Sequence, residues 1–262
     1  MTLVNRRLIY SLLYYIISIA TFLTLWEILV ILLSNPYFPS PLSIFRAITR
    51  IAIFGDIDGY TLIQHIYASL ERVMIGFFIA VITGVPLGLL IGIFPIVRAL
   101  SIPVIEPIRF IPPIAWIPLA IILLVGMSRY AFIIWVGAFF PILLNTIAGV
   151  KRTSITLVQM AKTFGADRNQ IIMKIIFPSS LPEVMTGLRV GLGVGWMCIV
   201  AAEMIGGDPI GLGRLIIKYA NLIQTDVVVA GMISISLIGM CINYMILALE
   251  KRMFKWRVEV TT

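Results

Sequence analysis

The sequence predicts an all-α membrane protein of six transmembrane helices, with a helical elbow and both termini on the cytoplasmic side. Three observations lead there. Hydrophobic residues make up 60% of the 262 and charged residues only 12%, with a mean hydropathy of +1.07, outside the range of soluble globular chains. Charge-free runs occur at 8–26, 73–97, 110–128, 131–150 and 227–249, and a span needs about 20 apolar residues to cross a core of roughly 30 Å. Residues 157–182 then interrupt these runs with a polar stretch that keeps a helical pattern.

The first span is placed at 8–33. Arg6 and Arg7 precede it as they would a signal peptide, but the run is too long and no small-x-small cleavage site follows, so it reads as an uncleaved span. Segment 34–69 opens with Asn35-Pro36 and Phe38-Pro39-Ser40-Pro41, which holds the chain extended. A short amphipathic helix follows, with Ile44, Ile48 and Ile51 on its buried side. The second span, 70–97, carries Gly84, Gly88 and Gly92.

The third span, 99–125, contains Pro112, Pro113 and Pro118, which distort a helix and free carbonyls able to line a cavity. The fourth is 130–150. The fifth, 182–204, has a charge-free core of 190–202 that must extend back through Arg189, and it carries Gly187, Gly191 and Gly195. Glycines four apart let helix backbones approach closely where lipid gives no hydrophobic drive for association. They serve either static packing or contacts that slide during a working cycle. After the turn-rich Gly206-Gly207-Asp208-Pro209-Ile210-Gly211-Leu212-Gly213 comes the helix-compatible stretch 214–222, then the sixth span, 226–249.

The elbow is the most informative stretch. Leu157, Met160, Ala161 and Phe164 stand at i, i+3, i+4 and i+7, one stripe of a short helix. Gly165 ends it in a left-handed turn, with Ala166 next. Asp167 with Gln170 three residues on forms an N-cap and capping box, restarting a helix at Arg168. Ile171, Ile172, Ile175 and Ile176 line one side of that second helix, and Pro178 is expected to stop it. Two short amphipathic helices projecting from a bilayer make a handle for a partner.

Charge sets the sidedness. With the N-terminus inside, Arg6, Arg7, Arg98, Lys151, Arg152, Lys162, Arg168, Lys174, Lys251, Arg252, Lys255 and Arg257 face inward; Arg46, Arg50, Arg72, Arg129, Arg214 and Lys218 face outward. The inward excess obeys the positive-inside rule and puts the elbow in the cytoplasm. The net charge of +8 thus reports topology and anionic membrane lipid, not nucleic acid. No GxxxxGK[ST] phosphate loop occurs, so any nucleotide hydrolysis is expected on another chain. His65 has no partners at metal-ligand spacing, and Cys198 and Cys241, both inside spans, read as buried thiols; no metal or other cofactor is expected.

Ionisable residues at membrane depth are functional candidates. Glu106 and Arg109 lie three apart on one helix face, within pairing reach. They form either an internal ion pair beside the prolines or an arginine that faces a cavity and attracts an anion. Arg189 can snorkel to the interface. Glu203, near the outer end of span five, serves a structural hydrogen bond or a gate. Trp116, beside Pro113, packs or gates.

The elbow resembles the cytoplasmic "EAA" loop of permease subunits of bacterial and archaeal ABC importers, in which E-A-A-x-x-x-G precedes a leucine-proline pair. The matching residues are Gln159-Met160-Ala161-Lys162-Thr163-Phe164-Gly165, then Phe177-Pro178 and Leu181-Pro182. Within that superfamily the chain is similar to the nitrate/sulfonate/taurine branch. That likeness rests on Phe38-Pro39-Ser40-Pro41, on the run from Ile111 to Leu119, on Gly187-Leu188-Arg189, and on Ala202-Glu203-Met204 followed by Gly211-Leu212-Gly213. It departs from the pattern at Gln159, usually glutamate, and Met160, usually alanine, which removes any ion pair the glutamate would make.

The resemblance implies one permease domain over 1–262, with coupling loop 151–182, in a bacterial or archaeal cell membrane. It implies ATPase contacts at Gln159, Met160, Ala161, Lys162, Phe164, Gly165, Ala166, Asp167 and Arg168, and a pathway near Glu106, Arg109, Pro113, Trp116 and Glu203. Two ABC ATPase subunits, an external solute-binding protein and a second permease copy are the implied partners. A small anion such as taurine or another sulfonate, or nitrate, is the implied cargo. An ion-coupled secondary transporter or channel working alone is the alternative; it predicts transport without nucleotide.

Overall fold

The computed structural model describes the backbone of residues 2–253 and the side chains of 13–253; Arg6, Arg7, Lys255 and Arg257 lie outside the described side chains. The described residues are almost wholly helical: α1 (Thr2–Leu33), α2 (Pro41–Phe54), α3 (Leu62–Ile93), α4 (Pro95–Arg109), a 3₁₀ turn (Pro113–Trp116), α5 (Ile117–Leu123), α6 (Met127–Lys151), α7 (Ile155–Thr163), α8 (Arg168–Ile171), a π turn (Ile172–Ile176), α9 (Phe177–Gly206), α10 (Leu212–Asn221) and α11 (Thr225–Met253). Among the described residues five helices are long and apolar enough to cross a membrane, and there are six when the bent pair formed by α4 and residues 113–123 is counted as one span.

Local chemistry starts these helices where the sequence places punctuation. Ser40 caps α2, its hydroxyl accepting from the Ser43 N–H at 3.2 Å, with Pro41 as the first helical residue, a position where a missing N–H costs nothing. The α2 face holding Ile44, Ala47 and Ile51 is buried. Thr61 and Gln64 form a capping box at the head of α3, so this helix begins eight residues before the expected 70. The indole of Trp26 donates to the Pro39 carbonyl at 3.1 Å and ties the proline-rich connection back to α1.

The core is a three-helix stack of α3, α6 and α9, held together by the glycine stripes. A Cβ on Gly88 would come within 2.6 Å of the Thr146 Cβ, and one on Gly92 within 2.7 Å of the Val150 Cβ. On the other side of α6, a Cβ on Gly187 would stand 2.8 Å from Asn145 and one on Gly191 2.9 Å from the Ala138 carbonyl. Both stripes therefore press on α6, whose Ile134, Ala138, Ile142 and Thr146 are fully buried. The outer faces of α1 and α11 remain exposed and apolar, as surfaces that meet lipid or another subunit do.

Two expectations are corrected, and a third, the distortion of the third span by its prolines, takes a definite form. The third span is two helices meeting at 85°, with the break between Arg109 and Pro113: prolines remove donors and keep the preceding residue out of the helical region. Pro178 does not end a helix, because α8, the π turn and α9 run on as one rod from Arg168 to Gly206. The Phe177 N–H reaches back five residues to the Ile172 carbonyl, so the ladder changes register where Pro178 lacks its donor. Cys241 is exposed on α11, whereas Cys198 is buried; a span that faces outward offers a thiol no cover.

Candidate functional site

At one end of the α6–α9 pair stands the elbow. Helix α7 closes in a Schellman motif, with the Ala166 N–H donating to the Ala161 carbonyl and the Gly165 N–H to that of Lys162, each at 3.0 Å. Gly165 sits at φ +82° with open space around it, the left-handed conformation that glycine adopts without strain. Asp167 then restarts the chain, its carboxylate accepting from the Gln170 N–H at 2.7 Å while the Gln170 side chain accepts from the Asp167 N–H at 3.2 Å. The expected turn and capping box are both present.

This elbow is stiff at its base and bare at its tip. Arg152, just past α6, pairs with Glu183 on α9, and Gly149 meets Ser180 and Glu183 so closely that a Cβ would have no room. At the tip, Leu157 and Met160 are half exposed and Phe164 is 84% exposed. Gln159, Lys162, Asp167 and Arg168 are exposed around them, and Ala161 and Ala166 are partly covered. The Arg168 guanidinium lies 4.9 Å above the Phe94 ring, in the α3–α4 turn. An apolar patch rimmed by polar residues is a typical protein-contact surface.

The expected pathway residues divide into two groups. Glu106 and Arg109 pair at 2.8 Å at the end of α4, with the Arg109 guanidinium 4.7 Å from the Phe110 ring. Pro113 and Trp116 form the 3₁₀ turn just past the bend, and Trp116 meets Phe132 of α6 edge-on. Glu203 is not with them. It lies fully buried near the far end of α9, away from the elbow.

There Glu203 anchors a charged network that joins α3, α6, α9 and the loop before α10. Its carboxylate accepts from Arg72 at 2.7 Å, from the Ser69 hydroxyl at 2.9 Å and from the Gly213 N–H at 3.0 Å. Arg72 also donates to the Ile210 carbonyl at 2.8 Å and to Asp208 at 3.3 Å. Arg129, at the head of α6, reaches the other oxygen of Asp208 at 2.6 Å. The Tyr130 ring lies 4.4 Å from the Arg72 guanidinium and 5.1 Å from that of Arg129. Gly211 comes so close to the Glu203 carboxylate that a side chain there would collide with it.

A second cluster lies beside the first. His65 Nδ1 stands 3.0 Å from both the N–H and the carbonyl of Gly211, and Nε2 faces Asp56 at 3.4 Å. Lys218 of α10 pairs with both Asp56 and Asp58. Burial alone would raise the Asp56 pKa, but the Lys218 ammonium and the N–H groups of Tyr60 and Asp58 outweigh it and hold the carboxyl below its ordinary range. Burial likewise opposes the charge on Lys218, yet its two aspartates push its pKa up.

Sequence reasoning placed Arg72, Arg129 and Lys218 as outward cations and missed their partners. The available signal was Arg72 itself: α3 begins at Leu62, so Arg72 falls inside an apolar helix, where a charge demands a counter-charge. Among the described residues no group of three or more His, Cys, Asp and Glu is placed to hold a metal ion.

Comparison with known proteins agrees with this architecture. Residues 84–255 match the family model described as binding-protein-dependent transport system inner membrane component. The taurine transport system permease protein TauC of Escherichia coli K12 is 37% identical over 246 residues, covering 93% of this chain and 89% of that protein. The nitrate import permease protein NrtB of Synechocystis is 31% identical over 239 residues, covering 89% and 86%. A solved inward-facing structure of the MetNI methionine ABC transporter aligns with a TM-score of 0.58 at 20% identity, over 71% of this chain and 95% of that one; it speaks to the fold alone.

Proposed function

The chain belongs to the family of binding-protein-dependent transport system inner membrane components, and we propose that it passes a small anionic solute, a sulfonate such as taurine or an oxyanion such as nitrate, through the membrane. It is a permease of an ABC importer. In the proposed assembly two permease chains pair as a homodimer, each a single transmembrane domain, and two ATPase subunits bind from the cytoplasm. An external binding protein delivers the solute near 34–69 and 204–226. The permease performs no covalent chemistry; ATP is hydrolysed on the separate subunit. Taurine and nitrate appear in the names of two relatives, and they are the basis for the solute class.

The elbow is the observation that carries this reading. Leu157, Met160 and Phe164 present an apolar face that this chain leaves uncovered, and a short amphipathic helix of this kind docks in a groove. Gln159, Ala161, Lys162, Gly165, Ala166, Asp167 and Arg168 complete the contact. Because Arg152–Glu183 and the packing at Gly149 join α6 and α9 at the base of the elbow, a push on α7 moves both spans together. Such a movement would alter the passage beside the bend, where Glu106, Arg109, Pro113 and Trp116 stand. Glu203 contributes as a structural anchor.

The test is ATP-dependent uptake of radiolabelled taurine and of nitrate in vesicles containing the permease, its ATPase and the binding protein. Gly165→Trp forces a bulky side chain into a left-handed turn at the tip and is expected to abolish both uptake and co-purification of the ATPase. Undiminished uptake with the ATPase still bound would remove the elbow from its role.

A further inference from the structure

We propose that Arg72 and Arg129 form a binding site for a small oxyanion at the end of the bundle opposite the elbow, and that Asp208 is its tethered occupant. The two guanidiniums come from different helices, α3 and α6, and converge on one carboxylate, one on each oxygen. A carboxylate, a nitrate and a sulfonate all present the same O–X–O edge to such a pair. Helix geometry puts the site roughly 33 Å from the elbow along α6.

The two acidic residues here are held very differently. Glu203 is completely buried and fixed by Arg72, Ser69 and the Gly213 N–H. The Asp208 side chain keeps 29% of its surface open and is held by the two arginines. It rides on a loop that leaves α9 through Gly206 and Gly207, the latter at φ +79°. With Asp208 in place, two cations face two anions. When it swings out, Arg72 keeps Glu203 and the Ile210 carbonyl, and Arg129 is left with an unmatched charge: the balance for one monovalent anion.

A second, independent observation points to a ligand. Among the described residues, the Arg129 Nε is buried with no hydrogen-bond partner, which is costly unless something occupies it. Tyr130 is almost wholly buried, and its hydroxyl lies under Gly206, the last residue of α9, and beside Asp208. Asp208 meets the arginines with both its oxygens and has no third to offer. Nitrate or a sulfonate brings a third oxygen that can reach the unpartnered Arg129 Nε. The site thus receives the anion where a delivering protein would release it, and Asp208 retakes the arginines once the anion has left. This deepens the anionic-solute reading and rests on it for the identity of the anion.

The test uses the full-length permease in nanodiscs, without ATPase or binding protein, so a negative result would leave the permease reading standing. Thermal unfolding is followed against sodium nitrate, sodium methanesulfonate and sodium chloride at matched ionic strength. Asp208→Ala is expected to unfold several degrees below wild type and to recover with nitrate or methanesulfonate but little with chloride, whereas wild type shifts little. The isosteric Asp208→Asn serves the same purpose if the alanine variant folds poorly. Adding Arg129→Gln to either variant should abolish the recovery. Equal responses to chloride and nitrate, or recovery that survives the loss of Arg129, would overturn the proposal.

Discussion

Single residues in this protein matter most where charge is buried. Glu203→Gln leaves the Arg72 guanidinium without its buried counter-charge in a water-poor site, and breaking one side of a buried pair costs about 3–5 kcal/mol. A clear fall in the thermal midpoint is expected, with a smaller fall when Arg72→Met removes the stranded charge as well; equal midpoints for single and double variants would contradict the pairing. Asp56 and Lys218 give a pH signature. A depressed carboxyl pKa stabilises the fold above the ordinary carboxylate range, and this is lost as pH falls through the lowered value; a raised lysine pKa stabilises below the ordinary lysine range, and this is lost as pH climbs through the raised one. Unfolding midpoints should be flat between the two limbs, and Asp56→Asn should flatten the acid limb. The sequence shows each of these residues but not its partner: Arg72 and Glu203 are 131 residues apart, and only the packing of α3 on α9 joins them.

At the scale of elements, the glycine spacing was legible because its cause is local: four residues return a helix to the same face. What faces that side is not local, and the structure gives α6 as the shared partner of both stripes. Gly88→Leu and Gly191→Leu should each destabilise by about 1–3 kcal/mol, since added volume has nowhere to go in a packed interface, whereas Gly193→Ala, which meets nothing within 4 Å, should be close to neutral. A thermal scan of the three variants decides it, and equal losses would contradict the α6 stack. The caps at Ser40, Thr61 and Asp167 follow from the identities of neighbours along the chain, and the last was readable in advance for that reason. The continuation of the helix through Pro178 was not, because it depends on a π turn whose register shift five residues earlier leaves no compositional mark. The third span's bend was foreseeable as distortion at Pro112 and Pro113, while its 85° angle depends on where α5 finds its place against α6 and α9.

For the whole molecule, the proposed function requires the elbow and the Arg129–Asp208–Glu203 network to lie on opposite sides of the membrane. α6 and α9 each carry one end at the elbow and the other at the Arg129–Asp208–Glu203 network, and each is long enough to cross a bilayer. The elbow end carries Lys151, Arg152, Lys162, Arg168 and Lys174, most of them exposed and few neutralised. At the other end Arg72, Arg129 and Lys218 are cancelled by Glu203, Asp208, Asp56 and Asp58. The positive-inside rule counts the cations themselves rather than the net charge, so the excess at the elbow end predicts that this end lies inside. A labelling experiment reads this directly. In a Cys198→Ser/Cys241→Ser background, Thr156→Cys on α7 and Gln224→Cys before α11 are both exposed positions. A membrane-impermeant maleimide added to right-side-out vesicles is expected to label position 224 and spare 156, and inverted vesicles should give the reverse. Labelling of both positions from one side would mean that α6 and α9 do not cross the bilayer. Labelling of 156 from outside would place the elbow beyond reach of any cytoplasmic ATPase.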